Sequence, residues 1–122
     1  MSRTSYVTTL GAIATVLFVT LWAGPAAAEV DKKIVRTWKA KCSSCHAEDG
    51  TGATDQGKKM GVRDMTAAPF WKDLTDAKMK DAITNGIKQT KNGVTQEMEP
   101  YKDKIKPEDI DALVAYVKAF KK

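Results

Sequence analysis

Hydrophobic positions along the 122-residue chain fall into two regimes, one dense and one sparse. From Val7 to about Ala23 apolar residues run almost unbroken, interrupted only by threonines and Gly11. Beyond Glu29 they thin into stripes at helical spacing. Val30, Ile34, Val35 and Trp38 fall at i, i+4, i+5 and i+8, an amphipathic helix that leads straight into Cys42. Thr75 is placed to cap a second helix that presents Met79, Ala82 and Ile83 on one face and stops at Asn85-Gly86. A third begins at Pro107, with Glu108, Asp109 and Asp111 at the positive end of its dipole and Lys118, Lys121 and Lys122 at the other. Its apolar face is Ile110, Leu113, Val114 and Val117, with Tyr116 or Phe120. From Ala47 to Gly61 glycines and polar residues dominate and no period survives, which predicts a loop. No segment alternates as a strand should. The pattern predicts an all-α fold of three or four short helices, and loops this long in a small domain wrap something or carry function.

The dense run has the layout of an export signal. Met1-Ser2-Arg3 is basic, the middle is apolar, and Gly24-Pro25-Ala26-Ala27-Ala28 supplies a helix stop and small residues for cleavage. The expectation is a signal peptide over 1–28 and a working domain over 29–122. An uncleaved membrane anchor is the alternative, since the apolar stretch is only slightly shorter than the roughly 20 residues a spanning helix needs. Thr8, Thr9, Thr15 and Thr20 count against it. On either reading the domain lies outside the cytoplasm: periplasmic, with no stable membrane insertion, if cleaved, and membrane-anchored if not.

Cleavage leaves 94 residues with 19 bases and 15 acids, a formal charge of +4. A core that small is marginal without a staple. Two cysteines cannot build a disulfide framework, and with the single histidine they fall short of the four ligands of a closed zinc site. The small basic excess, without interleaved aromatic residues, gives no sign of nucleic-acid binding.

The cysteines and the histidine are consecutive partners in Cys42-Ser43-Ser44-Cys45-His46, the C-x-x-C-H attachment site for c-type haem. Residues three apart are neighbours on a helix, so both sulfurs can reach the two vinyl groups on one side of a porphyrin. His46 then lies beneath the ring, where a nitrogen can ligate the iron. A bare C-x-x-C could also be a thioredoxin-like redox pair or half a metal knuckle. No βαβ pattern and no second cysteine pair accompany it here.

With those residues in view, residues 29–122 resemble a class I cytochrome c of the small bacterial monohaem kind. The resemblance is carried by Cys42 to His46, Asp49-Gly50-Thr51-Gly52, Asn85-Gly86-Ile87, Met98-Glu99-Pro100-Tyr101, and Leu113 to Val117, in that order. It implies a cytochrome c fold of short helices and long loops around one covalent haem c. In that family the first and last helices cross and a methionine ligates the iron from the other side. Export agrees with it, because haem c is attached outside the cytoplasm in that family. Two departures stand out. Glu99 separates Met98 from Pro100, and no proline lies between His46 and Pro69 to offer the carbonyl that commonly orients the histidine.

Four methionines compete for the sixth position. Met79 sits on an apolar helical face and reads as core. Met60 and Met65 follow His46 by only 14 and 19 residues, leaving little chain to round the ring edge. Met98 follows a polar, glycine-containing loop and precedes the last helix, as the family order has it, so Met98 is favoured, with Met60 or Met65 the runners-up. Trp71 could donate its indole hydrogen to a haem propionate, as aromatic residues in this region of the family do, or simply pack in the core. Trp38 and Tyr116 are expected at the crossing of the first and last helices.

His/Met ligation fills both axial positions and raises the reduction potential, so the expected function is single-electron transfer rather than catalysis. The resemblance implies redox proteins as partners, a quinol-oxidising complex as donor and a terminal oxidase or reductase as acceptor. A haem enzyme or ligand sensor with a labile sixth position, or a dedicated subunit of a larger redox complex, are the alternatives. Lys39, Lys41, Lys88, Lys91, Lys102, Lys104 and Lys106 could form a positive rim for an acidic partner, diluted by Glu97, Glu99 and Asp103.

Overall fold

The structure of the protein is a computed structural model that describes residues 31–122. The signal-peptide and anchor readings concern residues 1–28 and lie outside the described residues.

The first predicted helix is α1, Lys32–Lys41, capped by the Asp31 carboxylate, which accepts from the Lys33 N–H at 2.8 Å. Its apolar stripe delivers Ile34 and Trp38 to the core, 3% and 2% exposed. The last predicted helix is α6, Pro107–Lys118, with proline in its first turn and Glu108 and Asp109 at its positive end. Ile110, Leu113, Val114 and Val117 are its buried face, the set read from the sequence. The two helices cross on aromatic rings, Trp38 lying 5.6 Å from Tyr116 between centroids and 5.2 Å from Phe120 just past the end of α6.

Three one-turn helices lie between α1 and the next long helix: α2, Ser43–His46; α3, Asp55–Lys59; and α4, Ala68–Trp71. The α3 turn falls where a loop was expected. Five residues show no apolar period; what makes the turn is Thr54, whose Oγ1 accepts from the Gly57 N–H at 2.8 Å and donates to the Ser44 carbonyl at 2.7 Å. The α5 helix, Asp76–Asn85, carries the predicted Thr75 cap and buries Met79. Lys80 pairs with Asp111 and Lys118 with Asp76 between α5 and α6, at 2.6 and 2.9 Å. These pairs are solvent-exposed and worth only about 0–1 kcal/mol each, so apolar contact does most of the joining.

The all-α expectation requires correction. Ile87–Lys91 and Val94–Met98 form an antiparallel hairpin, β1 and β2, in register from Ile87↔Met98 to Lys91↔Val94. The reason it escaped the hydrophobic pattern is physical: β1 is exposed throughout and only Gln96 and Met98 of β2 are half-buried, so there is no apolar alternation to read. The turn chemistry was present in the sequence. Asn92 and Gly93 have φ of 51° and 76°, both positive as a two-residue hairpin turn of this twist requires.

Gly86 joins helix to hairpin and does more than stop α5. Its φ is +76°, and a Cβ there would collide with the Met98 carbonyl and lie 2.9 Å from the Pro100 nitrogen. The missing side chain is what lets the Met98 to Pro100 segment pass against the end of α5.

Candidate haem site

Helix α1 runs nearly unbroken into α2. The Cys42 N–H donates to the Trp38 carbonyl at 2.8 Å and the His46 N–H to the Cys42 carbonyl at 2.9 Å. This continuity sets Cys42, Cys45 and His46 on one turn, and all three line a cavity of about 790 Å³. Both cysteines are free and half-buried. Burial pushes the Cys42 thiol up to about 11, so it stays protonated near neutrality. Burial also lowers the His46 pKa, which keeps the imidazole neutral, the form that ligates a metal.

His46 Nδ1 is buried and has no hydrogen-bond partner. With no proline carbonyl to receive it, the ring is oriented by packing. Trp38 lies 5.8 Å away between centroids, tilted by 36°. The Trp38 indole N–H in turn reaches the Ala47 and Glu48 carbonyls, each at 3.2 Å, and the Gly52 N–H donates to the His46 carbonyl at 2.9 Å. Trp38 therefore supports the histidine as well as the helix crossing, a role the sequence reading missed. The positions Trp38, Cys42 and His46, each four apart on one helical path, were the available signal.

Met60, Met65, Met79 and Met98 all line the same cavity. They differ in surroundings. Met65 and Met79 are core residues, each 7% exposed. The Met60 sulfur is engaged by Gln56 Nε2 at 3.1 Å. Met98 is half-buried at the end of β2, on the margin of the core. Trp71 is absent from the cavity lining, and its indole N–H donates to the Met65 carbonyl at 2.8 Å. That hydrogen is taken within the protein in this structure.

Most of the remaining wall is apolar, including Leu74, Ile83, Leu113 and Val117, with Lys41, Arg63, Glu99 and Lys104 also lining it. Its volume falls within the roughly 300–1,000 Å³ of cofactor clefts. Among the described residues no group of three or more His, Cys, Asp or Glu could hold a metal ion unaided. Paired thiols, an adjacent neutral imidazole and apolar walls instead fit a porphyrin that brings its own iron.

Comparison with known proteins agrees. Residues 29–117 match the family model described as cytochrome C oxidase, cbb3-type, subunit III. The chain belongs to the c-type cytochromes. Among solved structures this cytochrome is similar to the KustC0563 c-type cytochrome, at 31% identity and a TM-score of 0.59, covering 72% of this chain and 96% of that one. A mutant of KustC0563 matches at 30% identity and a TM-score of 0.57, covering 72% and 98%. No curated protein sequence matches significantly. As a member of this family the cytochrome carries covalently bound haem c, and its domain family serves electron transfer.

Proposed function

We propose that this cytochrome is an exported, diffusible single-electron carrier whose haem is bonded through Cys42 and Cys45 and whose iron is ligated by His46 and Met98. The observation that carries this reading is that one apolar cavity is shared by the attachment turn and the half-buried end of β2. Met98 is preferred over its competitors because Met65 and Met79 are packed in the core and the Met60 sulfur already has a donor. When bound, the haem supplies a one-electron iron centre. The chain's own contribution is to hold it in a low-dielectric, apolar site, which disfavours the more highly charged ferric state, and to offer a soft thioether, which favours the ferrous one; both raise the potential.

The partners consistent with this role are a quinol-oxidising complex as donor and a terminal oxidase or reductase as acceptor. The family match favours one second reading, a dedicated haem subunit of a larger redox complex. Expression in a host that exports and matures cytochromes c tests the proposal. The expected product is a cleaved, soluble protein with covalent haem, a methionine-to-iron charge-transfer band in the ferric state, and no rapid carbon monoxide binding in the ferrous state. Rapid binding would refute the carrier reading, and stable co-purification with other subunits would support the second.

A further inference from the structure

Among the described residues a single side-chain hydrogen bond ties the hairpin bearing Met98 to the body of the protein. Among the described residues its other side-chain bonds stay within it: Thr90 with Thr95, Lys88 with Glu97, and Gln89 with Gln96. The exception is Gln96, whose Nε2 donates to the Gly61 carbonyl at 2.8 Å, across 35 residues of sequence. Gln89 sits directly opposite Gln96 in the ladder, and its Nε2 donates to Gln96 Oε1 at 2.8 Å. An amide whose oxygen is engaged by a donor must turn its nitrogen the other way, here toward Gly61. Gly61 is shaped to receive it. Its φ is +62°, and a Cβ would stand 3.3 Å from Gln96 Nε2 and 3.5 Å from Val94 Cγ1. Gly61, Gln89, Gln96 and Met98 all line the cavity.

We propose that Gln96 is the positioning residue for Met98: the Gln89–Gln96–Gly61 chain is a clasp that closes the hairpin over the cavity and sets how tightly the Met98 thioether is held there. This rests on the reading of Met98 as the iron ligand. Gln96 and Met98 are two apart on one strand, so they project to the same face, and they are the only half-buried residues of either strand. Releasing the amide frees the face that carries the sulfur while leaving the helical core untouched.

The test uses the ferric holoprotein and imidazole, which competes with Met98 for the sixth position. Gln96→Glu keeps the acceptor for Gln89 and loses the donor to Gly61; Gln96→Leu loses both. Each should bind imidazole about three- to tenfold more tightly than the parent, the effect of one net hydrogen bond, with little change in the far-UV melt. Gln89→Leu should show a smaller change in the same direction. In a Met98→Ala background, or Met98→Leu if the smaller side chain loses the haem, Gln96→Leu should have no further effect. Parent-like imidazole affinity in both Gln96 variants, with the charge-transfer band lost in the Met98 variant, would overturn the clasp and leave the ligand assignment standing. A Gln96→Leu effect that persists without Met98 would overturn it too, since the amide would then control access. Retention of the band in the Met98 variant would overturn both.

Discussion

Trp38 backs His46: the indole stands 5.8 Å from the imidazole and its N–H is shared by the carbonyls of Ala47 and Glu48, the two residues that follow the histidine. One side chain thus fixes the ring's neighbour and the path of the chain leaving the attachment turn. Trp38→Phe keeps an aromatic face and deletes the donor, leaving two part-buried carbonyls without it. The expected cost is about 1–3 kcal/mol of holoprotein stability, the penalty for an unsatisfied buried polar group. Denaturant unfolding followed by haem absorbance measures it. Unchanged stability would show that the indole N–H contributes nothing net to holding the turn.

Two glycines with the same backbone angle separate conformational strain from crowding. Gly86 and Gly93 both have φ of +76°, but a Cβ at Gly93 meets nothing within 4 Å, whereas one at Gly86 strikes the Met98 carbonyl. Gly93→Ala should cost about 1–2 kcal/mol, the left-handed penalty alone, and leave the charge-transfer band where it is. Gly86→Ala adds displacement of the Met98 to Pro100 backbone and should weaken or abolish that band. Equal behaviour of the two variants in ferric spectra and in thermal melts would refute the contact.

The same region marks where the sequence could be read and where it could not. The α1, α5 and α6 faces were legible because Ile34, Met79 and Leu113 each belong to a stripe of period 3.6 ending on an apolar core. The attachment turn was legible because thioether chemistry dictates its spacing. The hairpin was not, since Ile87 and Val94, each 38% exposed, stand in strands without a buried face, and only Asn92-Gly93 announced it. The backing of His46 by Trp38 was signalled only by their spacing along α1 and α2, and the reach of Gln96 to Gly61 spans 35 residues, which no local pattern encodes.

Tyr101 joins the Met98 segment to the attachment helix, its hydroxyl donating to the Lys41 carbonyl at 3.0 Å. Burial, with the Glu99 carboxylate nearby, raises its pKa well above the ordinary tyrosine range. A folded-state pKa above the unfolded one favours the folded protein fully at pH below about 10, and that contribution is lost as pH rises beyond it, where the unfolded chain ionises first. Tyr101→Phe should therefore cost about 1 kcal/mol near neutrality and show a shallower fall in stability above pH of about 10 than the parent. Unfolding free energies across that range test it; parallel curves would mean that Tyr101 titrates alike in both states.

Charge at the cavity's edge bears on the choice of partner. Of the seven lysines that flank the attachment motif and Met98 in the sequence, Lys39 pairs with Glu48 at 2.8 Å, Lys88 with Glu97 at 3.6 Å, and Lys104 with Glu99. Among the described residues no ion pair neutralises Lys41, Lys91, Lys102 or Lys106, and Lys41 itself lines the cavity. Attraction of an acidic redox protein to this side should make the bimolecular electron-transfer rate fall several-fold between about 10 and 150 mM salt, as the Debye length shrinks from roughly 30 to 8 Å. Lys41→Glu should slow transfer at low salt and flatten that dependence. Lys32 lies at the other end of α1, roughly 13 Å along the axis from Lys41, so Lys32→Glu changes net charge equally but lies beyond a Debye length at physiological salt. Stopped-flow rates that respond alike to both substitutions would assign the effect to net charge; a larger response to Lys41→Glu assigns it to the cavity's edge.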